Sequence, residues 1–132
     1  MATIRKEIRT VATPAAAWHA LRDVGALHTK LVTGFVTATT LDGPDRIVTF
    51  ANGMQARERI VAVDDAMQRV AYSVIGGRFA HHNASAEVLP DGAGSRIVWT
   101  ADLLPDDIAP AIEGMMNAGA DAMKRTLDRT VE

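Results

Sequence analysis

Ala84-Ser85-Ala86-Glu87-Val88-Leu89-Pro90-Asp91-Gly92-Ala93-Gly94-Ser95-Arg96-Ile97-Val98-Trp99-Thr100-Ala101-Asp102-Leu103-Leu104-Pro105-Asp106-Asp107-Ile108 decides the fold. Ala84, Ala86 and Val88 alternate with polar residues, as do Ile97, Trp99, Ala101 and Leu103, and this period of two is that of half-buried strands. Pro90 to Gly94 supplies the turn between them, too short for a parallel crossover, so the two strands are antiparallel. Pro105 then stops the second strand. Asp106 and Asp107 place negative charge where a helix N-terminus is positive.

Beyond that point Ile108, Ile112, Met115, Gly119, Ala122 and Thr126 recur at helical spacing, with Met116, Met123 and Leu127 beside them. Lys124, Arg125 and Arg129 suit the negative end of the helix dipole. Pro110 fits either the first turn, after a short separate turn, or a kink near the start. From about 107 to 130 such a helix runs roughly 35 Å.

Upstream, period two extends back to Thr33, with strands expected at 34–41, 46–51, 54–63, 69–76, 79–89 and 95–103. Asp42-Gly43-Pro44-Asp45, Asn52-Gly53, Asp64-Asp65-Ala66-Met67 and Gly76-Gly77 separate them with hairpin chemistry. Thr3 to Val11 reads as a first strand, Ile4 and Ile8 on one face. Thr13-Pro14 starts a short helix by a capping oxygen and a proline that needs no N–H there. Gly25 ends it, and a second short helix is expected near 26–31. The result is one α+β domain over 1–132: strand, two short helices, antiparallel meander, long helix. One face of the sheet has to be covered, and the terminal helix is the element long enough to do it.

Composition narrows the function. Hydrophobic residues make up 48% and charged residues 23%, the balance of a globular domain. A net charge of -2 argues against a nucleic-acid partner, and no charge run or long apolar run points to a membrane. Charges in Arg5, Lys6 and Glu7 oppose a signal peptide, so a cytoplasmic protein is expected. The absence of cysteine excludes disulfides and thiolate chemistry. Aromatics are only 5%, and a core of Ala and Met fills space less completely than one of Phe and Trp.

Strand parity nominates the interior polar groups. Met54, Ala56, Ile60 and Ala62 point inward together with Glu58; Val70 and Val74 with Tyr72; Ala80, Ala84 and Ala86 with His82. The same parity turns Gln55, Arg57, Arg59 and Phe79 outward. Glu58, Tyr72 and His82 then project from neighbouring strands, Glu58 and His82 roughly 10 Å apart with Tyr72 between. Few convergent polar groups in an apolar chamber make a ligand site, and burial raises an acid's pKa and lowers a histidine's. The candidate acid–base residues are His82 and Glu58, with Tyr72 orienting a substrate.

Each also has a structural reading. Glu58 can pair with Arg46, Arg57 or Arg59, Tyr72 can be plain packing, and His82 a satisfied core histidine. Trp18 and Trp99 are core or pocket wall. Met115, Met116 and Met123 give the helix a soft, adaptable face. His81 and His82 point to opposite faces and cannot share an ion, so neither a metal nor another cofactor is expected.

The order of elements resembles the START/Bet v 1-like (SRPBCC) helix-grip superfamily, particularly its polyketide cyclase/dehydrase-like bacterial branch. The likeness rests on Thr13-Pro14 through Trp18 with Leu21 to His28, on Glu58 to Asp64, on Tyr72 to Gly77, and on Ile97 to Thr100. It implies a sheet of about seven strands curved round the C-terminal helix, with a cavity for an apolar ligand. The pocket residues expected from strand parity and helix spacing are Trp18, Met54, Glu58, Tyr72, His82, Ala84, Trp99, Ala101, Ile112, Met115, Met116, Gly119 and Met123. Three functions follow: a carrier or sensor of a hydrophobic molecule; a cyclase or dehydratase using His82 or Glu58; or an interaction protein, monomer or homodimer, using the outer sheet face where Phe79 is expected.

Overall fold

The computed structural model describes residues 2–131. Seven strands form one antiparallel sheet in the order β1-β7-β6-β5-β4-β3-β2. They are β1 (Ala2–Thr10), β2 (Val36–Asp42), β3 (Asp45–Phe50), β4 (Gln55–Asp64), β5 (Arg69–Ile75), β6 (His81–Asp91) and β7 (Gly94–Leu104). Strands β2 to β7 are the expected meander, and β1 returns to pair along β7 from Ala2↔Leu103 to Thr10↔Ser95. Between β1 and β2 lie α1 (Pro14–Arg22) and a π-helical turn, Leu27–Leu31.

The local chemistry matches the structure at several joints. Thr13 caps α1, its hydroxyl accepting from the Ala16 N–H at 3.2 Å, and Pro14 occupies the first turn. A 3-10 turn, Asp106–Ile108, precedes α2 (Ala109–Arg129), so Pro110 sits in the first turn of α2, where no intrahelical N–H is needed. At Gly94 a Cβ would overlap the Thr10 carbonyl oxygen, so only glycine lets β7 begin against the end of β1.

Two irregularities bend the sheet. The register slips between Val36 and Ala38 on β2 and between Ile60 and Ala62 on β4. An extra residue on one strand increases local twist and turns the strand. Both lie on the half of the sheet farthest from β1.

Helix α2 spans 21 residues, about 31 Å. It rests mainly on β1 and the π-helical turn. Asp128 anchors it there, its carboxylate accepting from the Thr10 hydroxyl at 2.6 Å, the Val11 N–H at 3.1 Å and Lys124 at 2.8 Å. These partners hold the Asp128 carboxyl below its ordinary pKa, the Lys124 bond contributing most. The buried core gathers the C-terminal half of α2 (Ala122, Met123, Leu127) with α1, the π-helical turn and the middle of the sheet. A second cluster joins Ile108 and Met116 to Ile4, Ala84, Ala101 and Leu103. Trp99 packs against both.

One expected strand starts late. The chain from Gly76 to Ala80 is a loop, and β6 begins at His81. Ala80 is therefore exposed rather than inward, and Phe79 is half-buried rather than outward, packed edge-on against the His82 ring at 4.8 Å between centroids. Alternation has no meaning in a loop, which is why parity misplaces both residues. The outer sheet face thereby loses the aromatic residue that motivated a homodimer surface.

Candidate functional site

The curl of the sheet leaves a cavity of about 600 Å³ between α2 and the far strands. Its walls are apolar. Leu27 and Leu31 come from the π-helical turn, Val48 and Phe50 from β3, Val70 and Val74 from β5, Trp99 and Ala101 from β7, and Ile112, Met115, Met116 and Met123 from α2. The rim is made of exposed residues: Asn52, Met54 and Gln55 at the β3–β4 turn, Gly77 and Arg78 before β6, and Ala111 on α2. A shallower hollow lined by Phe35, Phe50, Asn52, Ala111 and Met115 adjoins this rim.

The polar groups lie on four consecutive strands. Arg46 on β3 and Glu58 on β4 are directly opposed in register, and Arg46 Nε donates to Glu58 Oε1 at 2.8 Å. Their side chains are only 5% and 10% exposed, so this is an ion pair set in the cavity wall. Arg46 Nη1 donates to the Val24 carbonyl at 3.3 Å, and its guanidinium lies 5.1 Å from the Tyr72 ring centroid. Cation–π contact and ion pairing together fix one orientation of Arg46.

Tyr72 on β5 is the next member. Its hydroxyl accepts a hydrogen bond from Trp99 Nε1 at 2.9 Å. Burial, reinforced by the Glu58 charge, pushes the phenol far above its usual range, so it remains a neutral hydroxyl. His82 on β6 completes the series, its ring 6.0 Å from that of Tyr72. The Val74 backbone N–H donates to His82 Nδ1 at 3.0 Å, which makes Nδ1 the acceptor and places the ring proton on Nε2. Burial lowers the His82 pKa to about 4, with nearby His81 acting in the same direction and Asp102 against it.

That depression predicts an acid-sensitive fold. Unfolded, His82 titrates near its ordinary value of about 6.5; folded, it stays neutral down to about 4. Between these values the unfolded chain binds the extra proton, so stability declines as pH falls through this window and levels below it. Allowing for partial solvent contact, the loss is on the order of 1–3 kcal/mol. Urea midpoints at pH 7, 5.5 and 4.5 are expected to fall more steeply for the wild type than for His82→Asn. Parallel curves would refute the assignment.

Most of the expected pocket residues meet here. Glu58, Tyr72, His82, Trp99, Ala101, Ile112, Met115, Met116 and Met123 line the cavity. Met54 is a rim residue, 59% exposed, because it precedes β4 and lies outside its alternation. Trp18 is not a wall: it packs in the main core and its Nε1 donates to Asp65 at 2.9 Å, tying α1 to the β4–β5 turn. Ala84 is buried in the second cluster, packed with wall residues without lining the cavity itself. Gly119 acts indirectly, since a Cβ there would come within 3.1 Å of Phe35 and of the Trp99 indole, so its bareness lets both rings lie against α2. Sequence reasoning names Arg46 only as one possible partner of Glu58, and misses it and Phe79 as cavity residues.

Similarity to known proteins agrees with this architecture. Protein XoxI from Bacillus cereus superposes with a TM-score of 0.86 at 16% identity, covering 100% of this chain and 99% of that one. A protein from Thermobifida fusca gives 0.77 at 27% identity, covering 98% and 95%. A point mutant of Thalictrum flavum norcoclaurine synthase, in complex with a transition-state analogue, gives 0.73 at 20% identity, covering 99% and 96%. No curated protein matches the sequence. The family described as "Polyketide cyclase / dehydrase and lipid transport" matches residues 1–131, and the chain belongs to that family, with a Bet v 1-like fold.

Proposed function

We propose that this protein binds a hydrophobic small molecule (a lipid, polyketide or aromatic metabolite) inside the cavity and acts as its carrier or sensor. The observation that carries the reading is the roughly 600 Å³ hollow, walled by aliphatic, aromatic and methionine side chains, with Arg46, Glu58, Tyr72 and His82 forming one stripe across β3 to β6 and further polar residues at the rim. Apolar walls supply affinity and a few fixed polar groups supply orientation. The methionines of α2 can re-pack around ligands of different outline.

The same geometry favours binding over proton transfer. Glu58 is committed to Arg46, and His82 carries its proton on Nε2 with Nδ1 occupied, so neither is poised as a free base. The test is uptake of 1-anilinonaphthalene-8-sulfonate, followed by displacement with fatty acids, flavones and polycyclic ketones and by thermal shift. Enhanced dye fluorescence that competitors reverse, with a raised Tm, is the expected result. A folded protein that takes up no dye and shows no shift across the panel would overturn the reading.

A further inference from the structure

The stripe of polar groups has an unequal supply of donors and acceptors, and this inference deepens the binding reading and rests on it. Among the described residues His82 Nε2 has no hydrogen-bond partner, while no fully buried side-chain nitrogen or oxygen atom is left unpartnered. The Nε2–H therefore borders open space, and His82 lines the cavity. Tyr72 is similar. Its oxygen receives the Trp99 N–H, and its own proton meets no acceptor among the described residues. Both groups are neutral near pH 7 and both offer a hydrogen without a taker. Glu58, the acidic group in the same wall, spends one oxygen on Arg46, whose charge balances it.

We infer that the cavity selects apolar ligands carrying an uncharged hydrogen-bond acceptor, a ketone or comparable carbonyl oxygen, which seats on the Nε2–H of His82 and the O–H of Tyr72. The pairing across the sheet supports a common target: Tyr72 is in register with Ala84, two residues from His82, and the two rings are on the same face, 6.0 Å apart. The fixed tautomer matters most. Because the Val74 N–H occupies Nδ1, the imidazole cannot turn its proton inward to become an acceptor without losing that backbone bond. A pure hydrocarbon would leave both donors dry, and buried donors without partners are unfavourable.

Fluorene and 9-fluorenone test this, being rigid tricycles of nearly the same shape that differ in a CH₂ against a C=O. In a chamber without donors the more apolar fluorene binds tighter, because the ketone gives up its bond to water. Here fluorenone is expected to bind roughly threefold to tenfold tighter, the usual worth of one or two neutral hydrogen bonds. Tyr72→Phe and His82→Leu are each expected to erode that preference, read as the ratio of fluorenone to fluorene affinity within the same variant. Equal or tighter binding of fluorene to the wild-type protein overturns the inference and leaves the binding reading standing. A preference that survives in both variants also overturns it. Failure of both tricycles to bind removes the inference and the cavity reading together, and the wild-type comparison decides the matter even if a variant does not fold.

Discussion

Arg46→Met is expected to destabilise the protein by about 3–5 kcal/mol, the usual penalty for removing one member of a buried ion pair. The side chain of similar length keeps the volume, so the loss reports charge rather than a void. It leaves Glu58, only 8% exposed in a wall of Val, Tyr and Leu, without the guanidinium that offsets its charge. The substitution also frees the Val24 carbonyl and empties the seat over Tyr72. The double variant Arg46→Met with Glu58→Leu is expected to recover most of that stability, since a matched apolar pair removes both desolvation penalties. Urea unfolding of the four proteins in the cycle measures the coupling directly. A single variant within about 1 kcal/mol of wild type would mean that the pair is effectively solvated, far from the buried geometry.

This pair also marks the limit of what the sequence makes legible. The meander and the long helix follow from periodicity and turn chemistry, because those patterns are local and repeat; Pro110 fits a first turn or a kink by sequence, and the 3-10 turn before α2 decides for the first. Tyr72, His82 and Glu58 follow from parity in long strands. Arg46 does not, since β3 is six residues long and opens with Asp45-Arg46, two charges that carry no inward signature. Its direction is fixed by partners distant in sequence: Glu58 across the strand pair, Val24 after α1 and Tyr72 beyond. Asp45 shows the same effect. The turn composition suggests a solvated residue, yet its side chain is 5% exposed and clasped by Arg57 and Arg59 at 2.9 and 2.8 Å, which together hold its pKa below normal. Trp18 is misplaced for a different reason, because a large ring with one polar atom can serve core or cavity, and the choice rests on Asp65, a residue 47 positions away.

Filling the chamber gives the second large effect. Val74 on β5 and Ala56 on β4 both line the cavity and are half-buried. In a closely packed core, Val74→Trp with Ala56→Phe would force strained rotamers and cost about 1–3 kcal/mol per site. Across an open space of about 600 Å³ the new rings have room, and they bury apolar area that was facing solvent or void. The expected outcome is a Tm equal to or above that of wild type. Binding of the fluorescent probe weakens by roughly 100-fold or more, because the new rings occupy the volume the probe needs and separate it from the apolar walls. Leu127→Ala provides the contrast. That side chain is fully buried in the solid half of the core, and its truncation is expected to cost about 2–5 kcal/mol. The contrast between an unchanged or raised Tm and a clear loss, read by calorimetry in the same buffer, separates a protein with a hollow beside a core from one packed throughout. A filled variant that unfolds early yet still binds probe would place the ligand elsewhere on the molecule.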